Sequence, residues 1–290
     1  MQRPPLTDRA ALERFRARAL GRTDLARARE DATCVRADRG AFFVHRLARA
    51  SVLERLNEVN RTFTNPAIVT GHAEMWGDSL RGARIVGDED TIALDPGAHD
   101  LVIHAMALHW AEDPVGQLVQ CRRALRPDGL LLAVLPGGRT LYELRAALLE
   151  AEARLTGGGS PRVAPMAEVR DLGGLLQRAG LALPVADVES HRVTYPDALA
   201  LMRELRAMGE ANALAGRDRR VPPRALFAEA AAIYAETHPA EDGRVVATLD
   251  LVHLAGWAPS SDQPKPLRPG SARTRLADAL SVPELPLPRN

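Results

Sequence analysis

The pattern of apolar and polar positions predicts a chain in which helices alternate with short strands. Residues 41–59 repeat apolar side chains at helical spacing, which is typical of an amphipathic helix packed on a core. Strand-like runs follow at 67–70, 83–86, 100–106, 130–135, 185–193 and 244–256. Further helices are predicted over 140–155, 167–179, 198–214 and 223–237. This alternation is typical of an α/β protein.

A well-marked helix connects two of the strand-like runs, 100–106 and 130–135. Asp113 is a good N-cap, Pro114 suits the first helical position, and arginines collect at the C-terminal end. Residues 127–129 (Pro-Asp-Gly) predict a turn into the next strand. Strand, helix and strand in this order predict a βαβ unit with parallel strands and a right-handed crossover.

Composition narrows the class of protein. The chain has 290 residues and a net charge of +1, which argues against a protein that coats nucleic acid, because that task needs many phosphate contacts. Its two cysteines form no CxxC motif and cannot make a disulfide framework. The apolar runs fall far below the ~20 residues of a membrane helix, and residues 1–10 lack the apolar core of a secretory signal. We therefore expect a cytoplasmic protein.

Arginine is concentrated at the start of the chain. Residues 1–50 contain 12 arginines against 6 acidic residues. We interpret this segment as a solvated helical face. The alternative is a surface that contacts an acidic protein or a phosphate-bearing partner.

Several segments resemble one family. Residues 99–138, which begin HDLVIHAMALHW, resemble the fourth and fifth strands of class I S-adenosylmethionine-dependent methyltransferases. Residues 137–181, 201–214 and 241–272 narrow the resemblance to mitochondrial complex I assembly factor 5 and its bacterial relatives. The resemblance implies a doubly wound, mostly parallel Rossmann-like sheet of seven strands with an antiparallel last strand. It also implies S-adenosylmethionine as the cofactor and a protein substrate, expected to be a complex I subunit.

The resemblance also sets the expected domain organisation. We expect an N-terminal helical region at 1–59 and a methyltransferase-like domain at 60–258, with a helical insertion at about 196–242. Residues 259–290 contain 7 of the 21 prolines and are expected to form a largely disordered tail.

The chain departs from the family at the glycine-rich turn after the first strand. Methyltransferases of this class carry a D-x-G-x-G-x-G motif there, because glycines let the backbone approach the cofactor. Gly71 matches the first glycine, but Val69 replaces the acidic residue, and Ala73 and Met75 replace the later glycines. We expect the side chain of Met75 to obstruct the cofactor.

A second departure concerns strand 2. Only 29 residues separate Gly71 from Asp100, whereas two βαβ steps of ~30 residues each would be needed for strands 2 and 3. Residues 84–100 align best with the section from strand 3 to strand 4. We therefore expect the sheet to lack strand 2, together with the carboxylate that would bind the ribose of the cofactor.

The resemblance implies a set of cofactor-binding residues around these two positions. They are Thr70, Gly71, Asp88, Glu89 and His104. Asp88 and Glu89 match the acidic pair of the family that lies near the adenine. The alternative for this pair is an exposed turn after a strand.

The candidate catalytic residues are His109, Trp110 and Tyr142. His109 and Trp110 follow the carboxyl end of a strand, where open α/β sheets bind ligands. Their alternative is an aromatic lid packed on the next helix. Residues 137–140 (Gly-Gly-Arg-Thr) could bind an anion or the main chain of a substrate, or form a simple tight turn.

The sequence gives no sign of a metal site. His99, His104 and His109 are spaced by five residues, which places neighbours on opposite faces of a strand.

Two functional hypotheses remain open. The chain is either an enzyme that modifies a protein substrate, by methyl transfer or arginine hydroxylation, or a non-catalytic assembly or binding factor with a degraded cofactor site. We expect no specific nucleic-acid partner and no transmembrane segment, and allow peripheral contact with a membrane.

Overall fold

The computed structural model describes residues 5–21, 42–264, 274–275, 277–278 and 281–283. Chain contacts define one compact unit, Met1–Pro259, and a second, Ser260–Asn290. Most of the predicted proline-rich tail lies outside the described residues, as do residues 22–41 of the predicted N-terminal helical region.

A single mixed sheet forms the centre of the first unit. Its strands are β1 (Pro66–Thr70), β2 (Arg84–Val86), β3 (His99–Ala105), β4 (Leu125–Gly137), β5 (Ala182–Tyr195) and β6 (Val245–Trp257), in the order β2-β1-β3-β4-β6-β5. β1 to β4 are mutually parallel, whereas β6 is antiparallel to both β4 and β5. This order confirms the predicted doubly wound, mostly parallel Rossmann-like sheet with an antiparallel last strand.

Within the described residues, the sheet has one strand fewer on the β1 side than the seven-stranded sheet of the family. β2 comes from the segment that aligns with the family's third strand, yet it pairs directly with β1, with Ile68 opposite Ile85. Asp88 follows β2 by two residues and therefore lies beside the carboxyl end of β1. The sheet lacks strand 2 within the described residues, as expected, and the shortened chain brings the predicted site residue Asp88 to that edge instead.

Helices flank the sheet and precede it. In chain order they are α1 (Arg9–Leu20), α2 (Phe43–Glu58), α3 (Ala73–Trp76), α4 (Pro114–Ala124), α5 (Tyr142–Thr156), α6 (Val169–Arg178), α7 (Ala198–Ala207) and α8 (Arg224–Thr237), with 3-10 turns at Leu108–Trp110 and Glu241–Gly243. Asp113 caps α4 as predicted, because its Oδ1 accepts a hydrogen bond of 2.8 Å from the backbone N–H of Gly116.

Alternate residues of the central strands face two separate cores. Ile68, Leu101 and Ile103 pack on the side of α2 and α5. Val69 and Val102 pack on the opposite side, with residues of α4 and α6. Continuous apolar runs therefore form strands that are buried on both faces, as the sequence predicted.

Two predicted boundaries need correction. Residues 127–129 were predicted to form a turn before the strand, but they belong to β4 itself. The strand contains Asp128 at a φ of 61° and shifts its register against β3. The predicted helix 198–214 ends at Ala207 because Gly209 adopts a φ of +82°, which a right-handed helix cannot contain. The chain that follows Gly209 is therefore free to turn back toward the sheet.

Candidate functional site

The candidate site lies at the carboxyl ends of β1, β2 and β3. Gly71 follows β1, Asp88 follows β2, and the 3-10 turn with His109 and Trp110 follows β3. Parallel sheets of this kind bind ligands at this edge. The structure therefore brings four of the predicted site residues to one region.

An arginine from α1 fills the space beside Gly71. The guanidinium of Arg16 is so close that a Cβ added at Gly71 would overlap it. Arg16 is 5% exposed and Asp88 2% exposed. Arg16 donates three hydrogen bonds of 2.8–3.1 Å to the Asp88 carboxylate. The interpretation of the arginine-rich start as a solvated helical face is thus wrong for this side chain.

Arg9 supports the same carboxylate from the preceding part of α1. Its Nη2 donates to Asp88 Oδ1 at 2.7 Å, and its Nη1 donates to the Asp88 backbone carbonyl at 3.0 Å. Burial alone would raise the pKa of Asp88, but the charges and hydrogen bonds of Arg16 and Arg9 outweigh it and lower the pKa to about 2. Asp88 is therefore an ionised carboxylate that binds guanidinium groups.

The rest of α1 is fixed over the edge of the sheet. The backbone N–H groups of Leu6 and Thr7 both donate to the carboxylate of Glu112, at 2.8 and 2.6 Å. Leu12 is buried against Trp110 in a small apolar cluster. Gly209 completes this packing, because a Cβ there would lie 3.1 Å from the Cα of Arg16.

A second group of polar side chains lies in the same region. His45 from α2, His72 from the turn after β1 and Glu210 from the loop after α7 place one donor atom each within 4.8 Å of one another. The rings of His45 and His72 meet edge-on with centroids 4.7 Å apart. Trp110 Nε1 donates to Glu210 Oε2 at 2.9 Å, and His109 Nε2 lies 3.4 Å from the same oxygen.

Burial and neighbouring charges fix the ionisation of this cluster. Burial lowers the pKa of His45 well below its usual range and that of His72 to about 4. Burial alone would raise the pKa of Glu210, but His109 and Arg16 outweigh it and lower the pKa to about 2. Near neutral pH the cluster therefore offers two neutral imidazoles and one carboxylate.

The remaining predicted cofactor residues have other contacts. The Thr70 hydroxyl accepts a hydrogen bond of 3.2 Å from the His72 N–H and so shapes the turn after β1. His104 is fully buried within β3, with Nε2 2.8 Å from Oε1 of Gln117. Glu89 is exposed, and its backbone carbonyl accepts from Gln117.

The described ring contacts of Tyr142 do not include the other two candidate catalytic residues. Its ring packs edge-on against His238, with centroids 5.5 Å apart, and under the guanidinium of Arg139. The backbone N–H of Arg139 donates to Asp250 Oδ2 at 2.7 Å, and that of Gly138 donates to the Ala167 carbonyl. These donors of the turn at 137–140 are thus used within the chain, which favours the tight-turn alternative.

Met75, which was expected to obstruct the cofactor, is not the residue nearest to Gly71. Its side chain is buried with Trp76 in the core on the α2 side of the sheet. The group that lies against Gly71 is instead Arg16.

Sequence reasoning missed five residues of this region: Arg9, Arg16, His45, His72 and Glu210. His72 carried a usable signal, because a histidine directly after the first glycine of the turn lies at the carboxyl end of a strand. The others come from segments far apart in the chain, and no spacing connects them.

The strand order and the site define a protein of the class I methyltransferase type. Residues 50–133 match the family model described as a methyltransferase domain. The crystal structure of the YcgJ protein from Bacillus subtilis overlaps with a TM-score of 0.47 at 9% identity, over 74% of this chain and 99% of that chain. The assignment rests on the observed strand order.

The curated relatives identify the family within this class. The mitochondrial arginine-hydroxylase NDUFAF5 of Danio rerio is 38% identical over 239 residues, 82% of this chain and 74% of that protein. The chain belongs to this NDUFAF5 family. The human protein of the same name is 37% identical over 194 residues, which span only 56% of its length. A malonyl-(acyl-carrier protein) O-methyltransferase of Laribacter hongkongensis is 36% identical over 179 residues, 62% of this chain and 58% of that protein.

The cofactor that this class implies does not fit the residues in this structure. S-adenosylmethionine needs a close approach to the turn after β1, and the guanidinium of Arg16 occupies that space. The carboxylate beside β1, Asp88, already pairs with Arg16 and Arg9.

No helix in the described part of the chain is long and apolar enough for a bilayer crossing.

Proposed function

We propose that this chain hydroxylates an arginine side chain of a protein substrate and does not transfer a methyl group. The observation that carries the proposal is the guanidinium of Arg16, held by Asp88 against Gly71 where a methyl donor would have to bind. NDUFAF5 relatives bear the name arginine-hydroxylase, which agrees with a cleft that accepts a guanidinium.

In this proposal Arg16 occupies the position of the substrate. The planar fork of a guanidinium matches a carboxylate in two parallel hydrogen bonds, so Asp88 would recognise a substrate arginine as it recognises Arg16. A substrate arginine would replace Arg16 as the partner of Asp88, whereas S-adenosylmethionine carries no guanidinium and would leave this buried carboxylate without its charge partner. Arg16 then acts as an internal competitor that keeps the buried carboxylate paired in the absence of substrate.

The reaction requires an external oxidant. Hydroxylation replaces one C–H bond of the arginine side chain by C–OH. With dioxygen as the oxidant, one oxygen atom enters that bond and the other leaves as water. This balance takes two electrons and two protons from a separate reductant.

Mass spectrometry of complex I subunits tests the proposal. Cells that lack the gene are complemented with the wild-type chain or with Asp88→Asn. We expect one arginine to carry the added mass of an oxygen atom with the wild type and to lose it with Asp88→Asn, compared at equal amounts of folded protein because this variant also removes the partner of Arg16. Asp95→Asn, which alters an exposed carboxylate, is the matched control and should retain the modification. An added methyl mass that depends on the wild-type chain would contradict the proposal.

A non-catalytic assembly factor is the second candidate function. It is favoured by the cleft being filled by the chain's own Arg16 and by the sheet being one strand short within the described residues. Under this alternative the wild-type chain would restore complex I assembly with no change in the mass of any subunit.

The proposed partner is a protein of the respiratory complex I, encountered in the cytoplasm with peripheral contact at the membrane. Of the 12 arginines in 1–50, Arg9 and Arg16 pair with Asp88 and Arg46 is buried, and the other nine support contact with an acidic surface. We propose no specific nucleic-acid partner.

A further inference from the structure

We propose that His45, His72 and Glu210 bind one divalent transition-metal ion. The three residues come from α2, the turn after β1 and the loop after α7, and their donor atoms lie within 4.8 Å of one another. The rings of His45 and His72 pack edge-on, but no described hydrogen bond joins any two of the three side chains.

Buried polar atoms without a partner are the main observation. Among the described residues, Nε2 of His45, both ring nitrogens of His72 and Oε1 of Glu210 are buried and make no hydrogen bond. His72 is fully buried and His45 is 1% exposed. Each unsatisfied buried group costs about 1–3 kcal/mol. A metal ion would satisfy one atom of each side chain at once.

The donor set matches known preferences of metal ions. Two imidazoles and one carboxylate with open positions are typical of non-haem Fe(II) sites, and the same donors hold catalytic zinc. Ligands at about 2.1 Å from an ion lie about 3 Å apart, so the side chains must close by small rotations. Burial keeps both imidazoles neutral, which is the form that binds metals.

Neighbouring side chains orient two of the proposed ligands. Trp110 Nε1 and His109 Nε2 both approach Oε2 of Glu210, which leaves Oε1 directed elsewhere. Trp76 Nε1 donates to Nδ1 of His45 at 3.3 Å, so the neutral ring carries its proton on Nε2. For Nε2 to bind the ion this proton must move to Nδ1, which breaks the long bond to Trp76. Loss of this bond costs about 0.5–1.5 kcal/mol. Both tryptophans therefore report on binding.

The charges around the cluster permit a cation. The charge of Arg16 acts on all three residues of the cluster, and it is paired with the buried Asp88, whose opposite charge also acts on His72. Glu210 Oε1 has no hydrogen-bond partner among the described residues and is available to bind the ion. His109 remains a hydrogen-bond partner of the other carboxylate oxygen, Oε2.

The metal site stands on this geometry and does not need the proposed hydroxylation to be correct. It rests on the proposed function only for the choice of iron, because an oxidation requires a redox-active ion whereas zinc would suffice for structure. Binding is therefore measured without substrate, so that its failure is separable from a failure of the hydroxylation.

Calorimetric titration of the metal-stripped full chain with Co²⁺, Zn²⁺ and, without oxygen, Fe²⁺ tests the proposal. We expect one ion per chain, a visible cobalt spectrum with nitrogen and oxygen ligands, and quenching of tryptophan fluorescence by Co²⁺. His72→Phe and Glu210→Gln retain the size of each side chain and should weaken binding at least about tenfold.

Matched controls alter residues outside the cluster. His253→Phe changes another buried histidine, and Glu189→Gln changes another carboxylate near a histidine. Both should bind the ion like the wild type. Absence of stoichiometric binding by the wild-type chain, or equal binding by His72→Phe and Glu210→Gln, would overturn the proposal. If one of the two variants does not fold, the effect of the metal on Tm is measured in the wild type and in the other variant. A rise of Tm in the wild type alone supports the proposal, and an equal rise in both contradicts it.

Discussion

The guanidinium of Arg16 lies directly against the backbone of Gly71, although 55 positions separate them in the chain. Arg16 reaches this position because α1 crosses the carboxyl ends of β1 and β2 and because Asp88 holds its guanidinium. The contact connects the N-terminal helix to the turn where methyltransferases of this class bind their cofactor. It therefore couples the stability of the chain to the occupancy of its cleft.

Gly71→Ala tests the contact itself. The new Cβ displaces the buried guanidinium of Arg16, so we expect a loss of about 1–3 kcal/mol in the free energy of unfolding, measured in urea. The loss should be smaller in an Arg16→Ala background, because that change removes the side chain with which the new Cβ overlaps. Gly158→Ala, with no atom within 4 Å of the added Cβ, should stay within about 0.5 kcal/mol of the wild type. Equal losses in both backgrounds would contradict the contact.

Asp88→Asn tests the ion pair. Removing the carboxylate leaves Arg16 buried without its charge partner, and breaking such a pair costs about 3–5 kcal/mol. Chemical denaturation measures this loss. The control Asp95→Asn removes an exposed carboxylate, 76% accessible, that pairs with Arg84, and should cost less than about 1 kcal/mol. The ion pair would be of little importance if the two variants were equally stable.

The low pKa of Asp88 predicts a loss of stability in acid. Its folded-state pKa of about 2 lies below the ordinary value of 3.8, so the stabilising contribution is complete above pH 3.8 and disappears as the pH falls toward 2. The contribution amounts to about 2 kcal/mol. The wild type should therefore lose more free energy of unfolding than Asp88→Asn across this interval. Parallel losses in the two proteins would show that Asp88 does not titrate in this way.

The sequence predicted the sheet but only part of the site. Continuous apolar runs such as His99–Ala105 and the capped α4 were sufficient for the fold, because local pattern and burial agree there. Gly71, Asp88 and His109 could be found because the ends of parallel strands meet at one edge.

The remaining site residues could not be predicted in the same way. Arg16 and Glu210 come from segments 194 positions apart and meet only after α1 packs on Gly209. The obstructing group was expected to be the nearby Met75, but its side chain is buried with Trp76 in the core on the α2 side of the sheet. Burial of an arginine depends on a partner carboxylate, and that partner, Asp88, is fixed by the tertiary fold rather than by spacing.

Calorimetric titration of the wild-type chain with S-adenosylmethionine and S-adenosylhomocysteine tests the central claim most directly. Because Arg16 occupies the space beside Gly71, we expect no saturable heat for either ligand. Arg16→Ala, titrated in parallel, separates the contribution of the guanidinium from that of the altered turn. Saturable binding of either ligand to the wild-type chain with a micromolar Kd would contradict the claim that this cleft has exchanged its cofactor for a guanidinium.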